Sequence, residues 1–335
     1  MRAPDLQPIT GRPCLVLGAS GFLGRWLVRA LREAGARVTA QVREARGLPP
    51  GRLDHAGLPG PLETLELDLT PSGSSTAMLR AVRPELVFNL AGYGVSKEER
   101  AAGGYRRLNS ELPAELARGL LESPETRGAV LIHVGSALEY GSQATSLDEL
   151  APPAPSTDYG ISKLAATLAL DGARGEGLAC LTARAFTVFG LGERPGRLVP
   201  SLLAAREGRA RIPLSAGTQS RDWIYAEDLA RALVELAQQD PEAIRKRTPP
   251  FDAPAINLAS GALTSVREFT ELFARAFDIG ADRLGFGDIP GLAEEMHHPP
   301  VPVARLSRAL GWTPPTDPMD AFRAMRAHLT NGIEA

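Results

Sequence analysis

Cys14-Leu15-Val16-Leu17, then Gly18-Ala19-Ser20-Gly21-Phe22-Leu23-Gly24, then Arg25-Trp26-Leu27-Val28-Arg29-Ala30-Leu31-Arg32-Glu33-Ala34, closed by Gly35, is the stretch that decides the fold. An apolar run of strand character enters a glycine turn, and the turn opens a segment with apolar residues at helical spacing. Gly18 permits the tight bend, Gly21 lets the backbone approach a ligand, and Gly24 lets the helix pack close to the strand. The free amides and the positive end of the new helix then face whatever lies over the turn, which suits a pyrophosphate. Gly18, Ser20, Gly21, Phe22, Leu23 and Gly24 are therefore candidate cofactor-binding residues, and the expected ligand is a dinucleotide.

The rest of the chain keeps the same rhythm. Segments 37–42 and 62–67 and the apolar runs at 86–90, 129–134 and 178–183 read as strands, and helical patterns fall at 76–82, 109–121 and 158–173. Alternating strands and helices predict an α/β, Rossmann-type doubly wound parallel sheet. After Gly190 the rhythm changes. A Gly/Pro/Arg loop at 191–197 leads to a helix at 198–207, a strand at 221–225, a helix at 227–238 and a charged, Pro-rich exposed loop at 240–254. A strand at 255–259 and helices at 266–277, 303–310 and 318–329 follow. The expected division is a dinucleotide-binding domain over 11–190, with a returning segment near 221–260, and a smaller C-terminal substrate-binding lobe from 191–220 and 261–330.

Composition removes several classes of function. The formal net charge of −2 across 335 residues is no basic surplus, so nucleic acid is not an expected partner. No apolar run approaches the ~18 residues that a membrane span needs. Residues 1–11 hold no apolar signal core, and Cys14 and Cys180 both sit in strand-like apolar runs. A reducing, cytoplasmic setting is expected, with neither a disulfide framework nor a metal cluster.

Ligands of an open α/β sheet bind at the carboxyl ends of its strands. After the second strand comes Arg43, where an acid for a ribose 2′-hydroxyl would be expected in an NAD enzyme. An arginine there can form a bidentate contact to a 2′-phosphate, so NADP (as NADPH) is favoured over NAD. After the third strand come Asp68 and Leu69, with Asp68 a candidate acceptor for an adenine amino group. Leu90, Ala91 and Gly92 follow the fourth strand and Ser136 the fifth. Tyr159-Gly160-Ile161-Ser162-Lys163 places Tyr159 and Lys163 on one face of a helix. Lys163 can then lower the phenol pKa by its charge and hold a ribose hydroxyl. Tyr159 can give or take the proton of an alcohol or ketone, and Ser136 can hold the substrate oxygen. Ser136, Tyr159 and Lys163 are the candidate catalytic residues.

With these residues in place the chain resembles the extended short-chain dehydrogenase/reductases of the NAD-dependent epimerase/dehydratase family, from Pro13 to about Leu329. The resemblance is carried by the glycine turn, Asp68-Leu69, Asn89-Leu90-Ala91-Gly92, Gly135-Ser136-Ala137-Leu138-Glu139-Tyr140-Gly141 and Tyr159-x-x-x-Lys163. Arg184-Ala185-Phe186-Thr187-Val188-Phe189-Gly190, Arg221-Asp222-Trp223-Ile224-Tyr225 and the C-terminal Leu310-Gly311-Trp312 also fit. It implies Phe186 beside the cofactor, Asn109 in a structural role near the site, and Arg221 on a substrate diphosphate. Tyr93, Ser136, Leu138 and Thr187 would complete the substrate-binding set. It also implies a homodimer built on helices near 109–121 and 158–173.

Departures from the family pattern narrow the reaction. Family dehydratases carry acidic residues directly after the catalytic Ser or Thr, where this chain has Ala137 and Leu138. Glu139 comes one residue late, which changes its direction, so dehydration is not expected. Thr187 stands where an asparagine often grips the nucleotide. His297 and His298 are read as exposed loop residues and candidate substrate contacts; without a third donor at ligand spacing they make no metal site. The expected activity is NADP-linked reduction of a keto group on a nucleotide-linked deoxysugar or similar ketone. Two alternatives are an NAD-dependent sugar-nucleotide 4-epimerase and a non-catalytic nucleotide-binding sensor.

Overall fold

The computed structural model describes residues 6–43, 62–92, 106–142, 145–291, 296–315 and 317–330. The predicted loop at 44–61 and the candidate substrate residue Tyr93 lie outside the described residues. The described strands β1 (Pro13–Leu17), β2 (Arg37–Val42), β3 (Glu63–Glu66), β4 (Leu86–Asn89), β5 (Val130–Ser136) and β6 (Ala179–Ala185) enter one parallel sheet. Three short strands outside it, β7 (Thr187–Phe189), β8 (Ile212–Leu214) and β9 (Ser220–Arg221), are followed by β10 (Trp223–Tyr225). Then β11 (Ala255–Leu258) returns to pair with β6, giving the seven-stranded order β11-β6-β5-β4-β1-β2-β3. The order reverses between β1 and β4, which opens the crevice where such sheets take ligands.

Strand alternation feeds two cores. Cys14 and Val16 of β1 face one side with Trp26, Leu27 and Leu31 of α1 (Phe22–Glu33). Leu15 and Leu17 face the other, with Met78 and Leu79 of α2 (Ser74–Val82) and Leu112, Leu116 and Leu120 of α3 (Leu112–Glu122). Helix α4 (Asp158–Gly175) lies on this second side through Leu170 and Ala173. Period-2 strands buried on both faces are the reason that near-continuous apolar runs mark this sheet.

Beyond Gly190 the chain adds α5 (Leu198–Ala205), α6 (Ala226–Ala237), α7 (Pro241–Arg245), α8 (Val266–Ala276), α9 (Ala304–Leu310) and α10 (Pro318–Thr330). The short strand β12 (Thr264–Ser265) pairs with β9, and β13 (Leu284–Phe286) pairs with β8. Phe189, Trp223, Phe269, Phe273 and Phe322 form an aromatic cluster in which Trp223 stacks on Phe269 at 3.9 Å. It joins β7 and β10 to α8 and α10.

Three sequence expectations are corrected here. Residues 240–254 are not an exposed loop. Asp240 caps the short α7, Ile244, Phe251 and Ala253 are buried, and the buried Arg174 guanidinium donates to the carbonyls of Phe251 and Ala253. The expected strand at 221–225 is split between β9 and β10, because Asp222 turns inward to bond the amides of Ser260 and Gly261. The helix expected from 109 begins as a wide turn at Arg106–Glu111 before regular α3.

Candidate active site

The glycine turn is tightly built. Gly18 has φ +74°, and a Cβ there would lie 2.8 Å from the Ala91 amide nitrogen. A Cβ on Gly24 would lie 2.2 Å from the Gly18 carbonyl oxygen, so β1 and α1 can meet only through glycines. The Gly18 amide donates to Gln41 Oε1 (3.0 Å), and Gln41 Nε2 donates to the Leu67 carbonyl (2.6 Å). Gln41 thus pins the turn to the end of β3. No sequence signal singled it out, because inside an apolar strand it reads as a polar interruption. The N-terminus of α1 has Gly21 at the cap, no side-chain cap and no acidic residue in the first turn. Bare helix amides over a cradle with no room for a Cβ fit a dinucleotide pyrophosphate.

Around this turn the strand ends carry the expected residues. Arg43 is exposed directly after β2, and its charge helps to lower the Asp68 pKa. The larger cause is Thr70, whose hydroxyl (2.7 Å) and amide (2.9 Å) both donate to Asp68. Leu69 is buried. Leu90 donates its amide to Leu17, Ala91 packs on Gly18, and Gly92 is exposed at the mouth of the crevice. Phe22 and Leu23 are half-buried on the turn beside Ser20.

Ser136 ends β5 and begins a short turn, Ala137–Glu139. Its Oγ accepts from the Leu138 amide (3.2 Å), while Glu139 Oε1 accepts from the Ser136 amide (2.8 Å). This reciprocal capping box fixes the Ser136 hydroxyl at the strand end. Helix α4 approaches the same turn: a Cβ on Gly160 would lie 2.4 Å from the Leu138 carbonyl oxygen. Thr157 Oγ1 caps α4 by accepting from the Gly160 amide (3.1 Å). Tyr159, half-buried in the first turn of α4, is thereby held next to the Ser136 turn.

One turn further on, the buried Lys163 donates from Nζ to the Val134 carbonyl (3.0 Å). Burial pushes its pKa down to about 8, opposed by the nearby Glu139 charge. Asn109 donates to Ser162 Oγ (3.0 Å), which in turn donates to the Tyr159 carbonyl (2.8 Å). Gly92 closes the ring: a Cβ there would be 3.4 Å from Lys163 Nζ and 3.3 Å from Asn109 Oδ1. Gly92, Asn109, Ser136, Tyr159 and Lys163 therefore converge at the carboxyl ends of β4 and β5.

The remaining candidates line a second wall. Phe186 and Thr187 stand at the β6–β7 corner, where the Thr187 amide donates to the Asp222 carbonyl (3.0 Å). Arg221 ends β9 just before Asp222, whose carboxylate is taken by the Ser260 (2.7 Å) and Gly261 (2.9 Å) amides. His298 is not the exposed loop residue expected. It is half-buried, with its ring edge-on to Phe186 at 5.5 Å. Among the described residues there is no group of His, Cys, Asp or Glu fit to hold a metal, and no helix long and apolar enough to cross a membrane.

Residues 14–247 match the model of the NAD dependent epimerase/dehydratase family. The chain is 30% identical to dTDP-6-deoxy-L-talose 4-dehydrogenase (NAD(P)(+)) of Kitasatospora kifunensis, over 97% of both sequences. It is 22% identical to dTDP-L-rhamnose 4-epimerase of Burkholderia thailandensis, over 91% of this chain and 92% of that one. Among solved structures it resembles MoeE5 in complex with UDP-glucose and NAD, with a TM-score of 0.75 and 26% identity over 96% of this chain and 99% of that one. The glycine turn, the strand order and these matches lead to one assignment: the chain belongs to the NAD-dependent epimerase/dehydratase family.

Proposed function

We propose that this NAD(P)-dependent enzyme is an NADPH-linked reductase of the 4-keto group of a nucleotide-linked deoxysugar. The observation that carries the reading is the state of Glu139. It is the carboxylate nearest in sequence to Ser136, and it is fully buried and bound to Arg184, Thr167 and the Ser136 amide. It cannot reach a substrate carbon or a leaving hydroxyl, so the turn after Ser136 supports proton exchange at oxygen and not dehydration. The Kitasatospora relative, named for oxidoreduction at a sugar 4-position, supports the same chemistry.

The residues divide the work. When bound, the reduced nicotinamide cofactor supplies the hydride. Gly18, Gly21 and Gly24 with the first amides of α1 would hold its pyrophosphate, Asp68 its adenine, and Arg43 its 2′-phosphate. Lys163 has three N–H donors; one is used by Val134, and two are left for a ribose hydroxyl and the Tyr159 oxygen. Ser136 orients the ketone oxygen, and Tyr159 gives that oxygen its proton as the carbon is reduced to the alcohol. Arg221 would face the substrate diphosphate, with Leu138 and Thr187 lining the sugar side. A homodimer through α3 and α4 belongs to the same proposal; Ile161 and Leu168 of α4 are exposed apolar side chains on that helix.

The 4-epimerase reading is supported by the Burkholderia relative and shares the same residues. The two separate on cofactor retention. An epimerase returns its hydride to the same substrate and keeps NAD through purification. Unfolding the purified protein and measuring nucleotide absorbance in the supernatant tests this: the reductase proposal expects substoichiometric nucleotide, and one NAD per chain overturns it.

A further inference from the structure

We infer that Arg305, in the C-terminal lobe, is a positioning residue for the reaction: it holds the Ser136 turn in place through an unbroken chain of buried polar side chains. The inference rests on the role given to Ser136 above. The chain starts at the Ser136 amide, which donates to Glu139 Oε1 (2.8 Å). Glu139 Oε2 accepts from Arg184 Nε (2.8 Å), and the Arg184 guanidinium lies 4.5 Å over the Tyr140 ring. The Tyr140 hydroxyl donates to Asn257 Oδ1 (2.8 Å) at the carboxyl end of β11. The Asn257 amide donates to Glu149 Oε1 (3.1 Å), and Glu149 Oε2 accepts from Arg305 Nη1 (3.2 Å). Glu139, Tyr140, Glu149, Arg184 and Asn257 are all buried, while Arg305 is half-buried on α9 and also pairs with Asp148 (3.0 Å) and Asp252 (3.1 Å).

Two features make this chain a means of holding the site. First, Glu149 has little to replace Arg305 with. Burial pushes its carboxyl up from the ordinary pKa, and the Asn257 amide and the Arg305 charge oppose that push. Without Arg305 the buried carboxylate must take a proton or turn toward water, and either change loosens its hold on the Asn257 amide. Asn257 is then less firmly set to receive Tyr140, which packs under Arg184. Second, segment 147–149 lies on the connection between the Ser136 turn and the helix of Tyr159. Asn257 Nδ2 donates to the Leu147 carbonyl (2.8 Å) and the Ala154 amide to the Tyr140 carbonyl (3.1 Å), and a Cβ on Gly141 has no room against the Ala154 carbonyl. One clamp therefore bears on both elements that meet at the ketone. At its other end, α9 follows segment 296–303, which brings His297 and His298 to the wall of a cavity of about 430 Å³. The wall of that cavity and the catalytic turn share one hydrogen-bonded frame.

The test combines amide hydrogen exchange by mass spectrometry with steady-state kinetics, on the full chain saturated with NADPH and with a nucleotide-linked 4-keto-6-deoxysugar as substrate. Arg305→Met should speed exchange in segment 136–141 by about tenfold or more and leave β1 and α1 unchanged. It should lower kcat by about 10- to 100-fold with the NADPH Kd unchanged. Tyr140→Phe keeps the ring under Arg184 but cuts the chain at Asn257, so it should act in the same way. The double variant should be no worse than the worse single one, because the chain is already cut. Arg211→Met opens the lobe's separate Arg211–Asp288 pair and should change neither readout. The positioning role is overturned by unchanged exchange at 136–141 in Arg305→Met, by exchange that rises throughout the chain or in Arg211→Met as well, by an unaltered kcat, or by losses that multiply in the double variant. A wild-type protein that turns over no keto sugar overturns the reductase reading, and the exchange measurement then decides the role of Arg305 by itself.

Discussion

The carboxylate of Glu139 and the guanidinium of Arg184 form an ion pair inside the protein, with Oε2 and Nε 2.8 Å apart and side-chain exposures of 0% and 3%. The same oxygen accepts from Thr167 Oγ1 at 2.8 Å, and the other holds the Ser136 amide. The Arg184 guanidinium also lies 4.5 Å over the Tyr140 ring, whose hydroxyl donates to Asn257. One carboxylate thus links β5, β6, α4 and the turn that presents Ser136. The residue whose displacement by one position argued against dehydration has instead become the clamp of the site.

Glu139→Gln keeps the shape of the side chain and removes its charge, leaving the Arg184 cation buried without its partner. The expected loss of folding stability is about 3–5 kcal/mol, read from urea unfolding at pH 7. A loss below about 1 kcal/mol would mean that the pair does not hold the turn.

Lys163 should impose an alkaline limit on catalysis. In the proposed mechanism its cation is the working form, and burial has pushed its pKa down to about 8. As pH rises through that value the cation is lost, so kcat should fall, approaching tenfold per unit above it. Glu139 raises the Lys163 pKa, and its neutralisation in Glu139→Gln should move the limb to lower pH. Lys163→Met should lower kcat by about 10²–10⁴ and abolish the limb. A pH–rate profile flat from pH 7 to pH 9 in the wild type contradicts this role.

In the proposed function, cofactor choice rests on Arg43. Arg43→Ala removes a charged contact worth about 1.5–3 kcal/mol. NADPH should therefore bind roughly 10- to 100-fold more weakly and NADH nearly unchanged. Fluorescence titration with both nucleotides checks it, and equal losses would remove the 2′-phosphate from the role of Arg43.

Two glycines should separate binding from chemistry. Gly24→Ala drives a methyl to 2.2 Å from the Gly18 carbonyl and must open the pyrophosphate cradle. Gly160→Ala drives one to 2.4 Å from the Leu138 carbonyl and must push α4 away from the Ser136 turn. Each strain costs about 1–3 kcal/mol. Gly24→Ala should weaken both nucleotides, whereas Gly160→Ala should bind them normally and lose kcat. Parallel Kd and kcat measurements on the two variants decide it.

The inner strands of the central sheet were legible because they are buried on both faces, whereas the edge strand β3 is mostly exposed. Leu15 and Val16 serve opposite cores, so β1 must be apolar at every position, and the glycine turn after it has few alternatives. Tyr159 and Lys163 were legible because helical spacing alone puts them on one face. What was hidden depends on contacts distant in sequence. Segment 240–254 looked solvated because it is charged and Pro-rich, yet Arg174, 77 residues away, draws the Phe251 carbonyl inward. Gln41 reaches the glycine turn only once β2 lies beside β1. His298 gains its place from Phe186, on another strand corner 112 residues earlier in the chain.

The most direct test of the proposed reaction is to follow NADPH absorbance while the purified protein acts on a nucleotide-linked 4-keto-6-deoxysugar. One NADPH should be consumed for each ketone reduced, and Tyr159→Phe should still bind NADPH while losing about 10²–10⁴ in rate. Interconversion of 4-epimeric nucleotide sugars by the wild type with no net NADPH consumption would contradict the account.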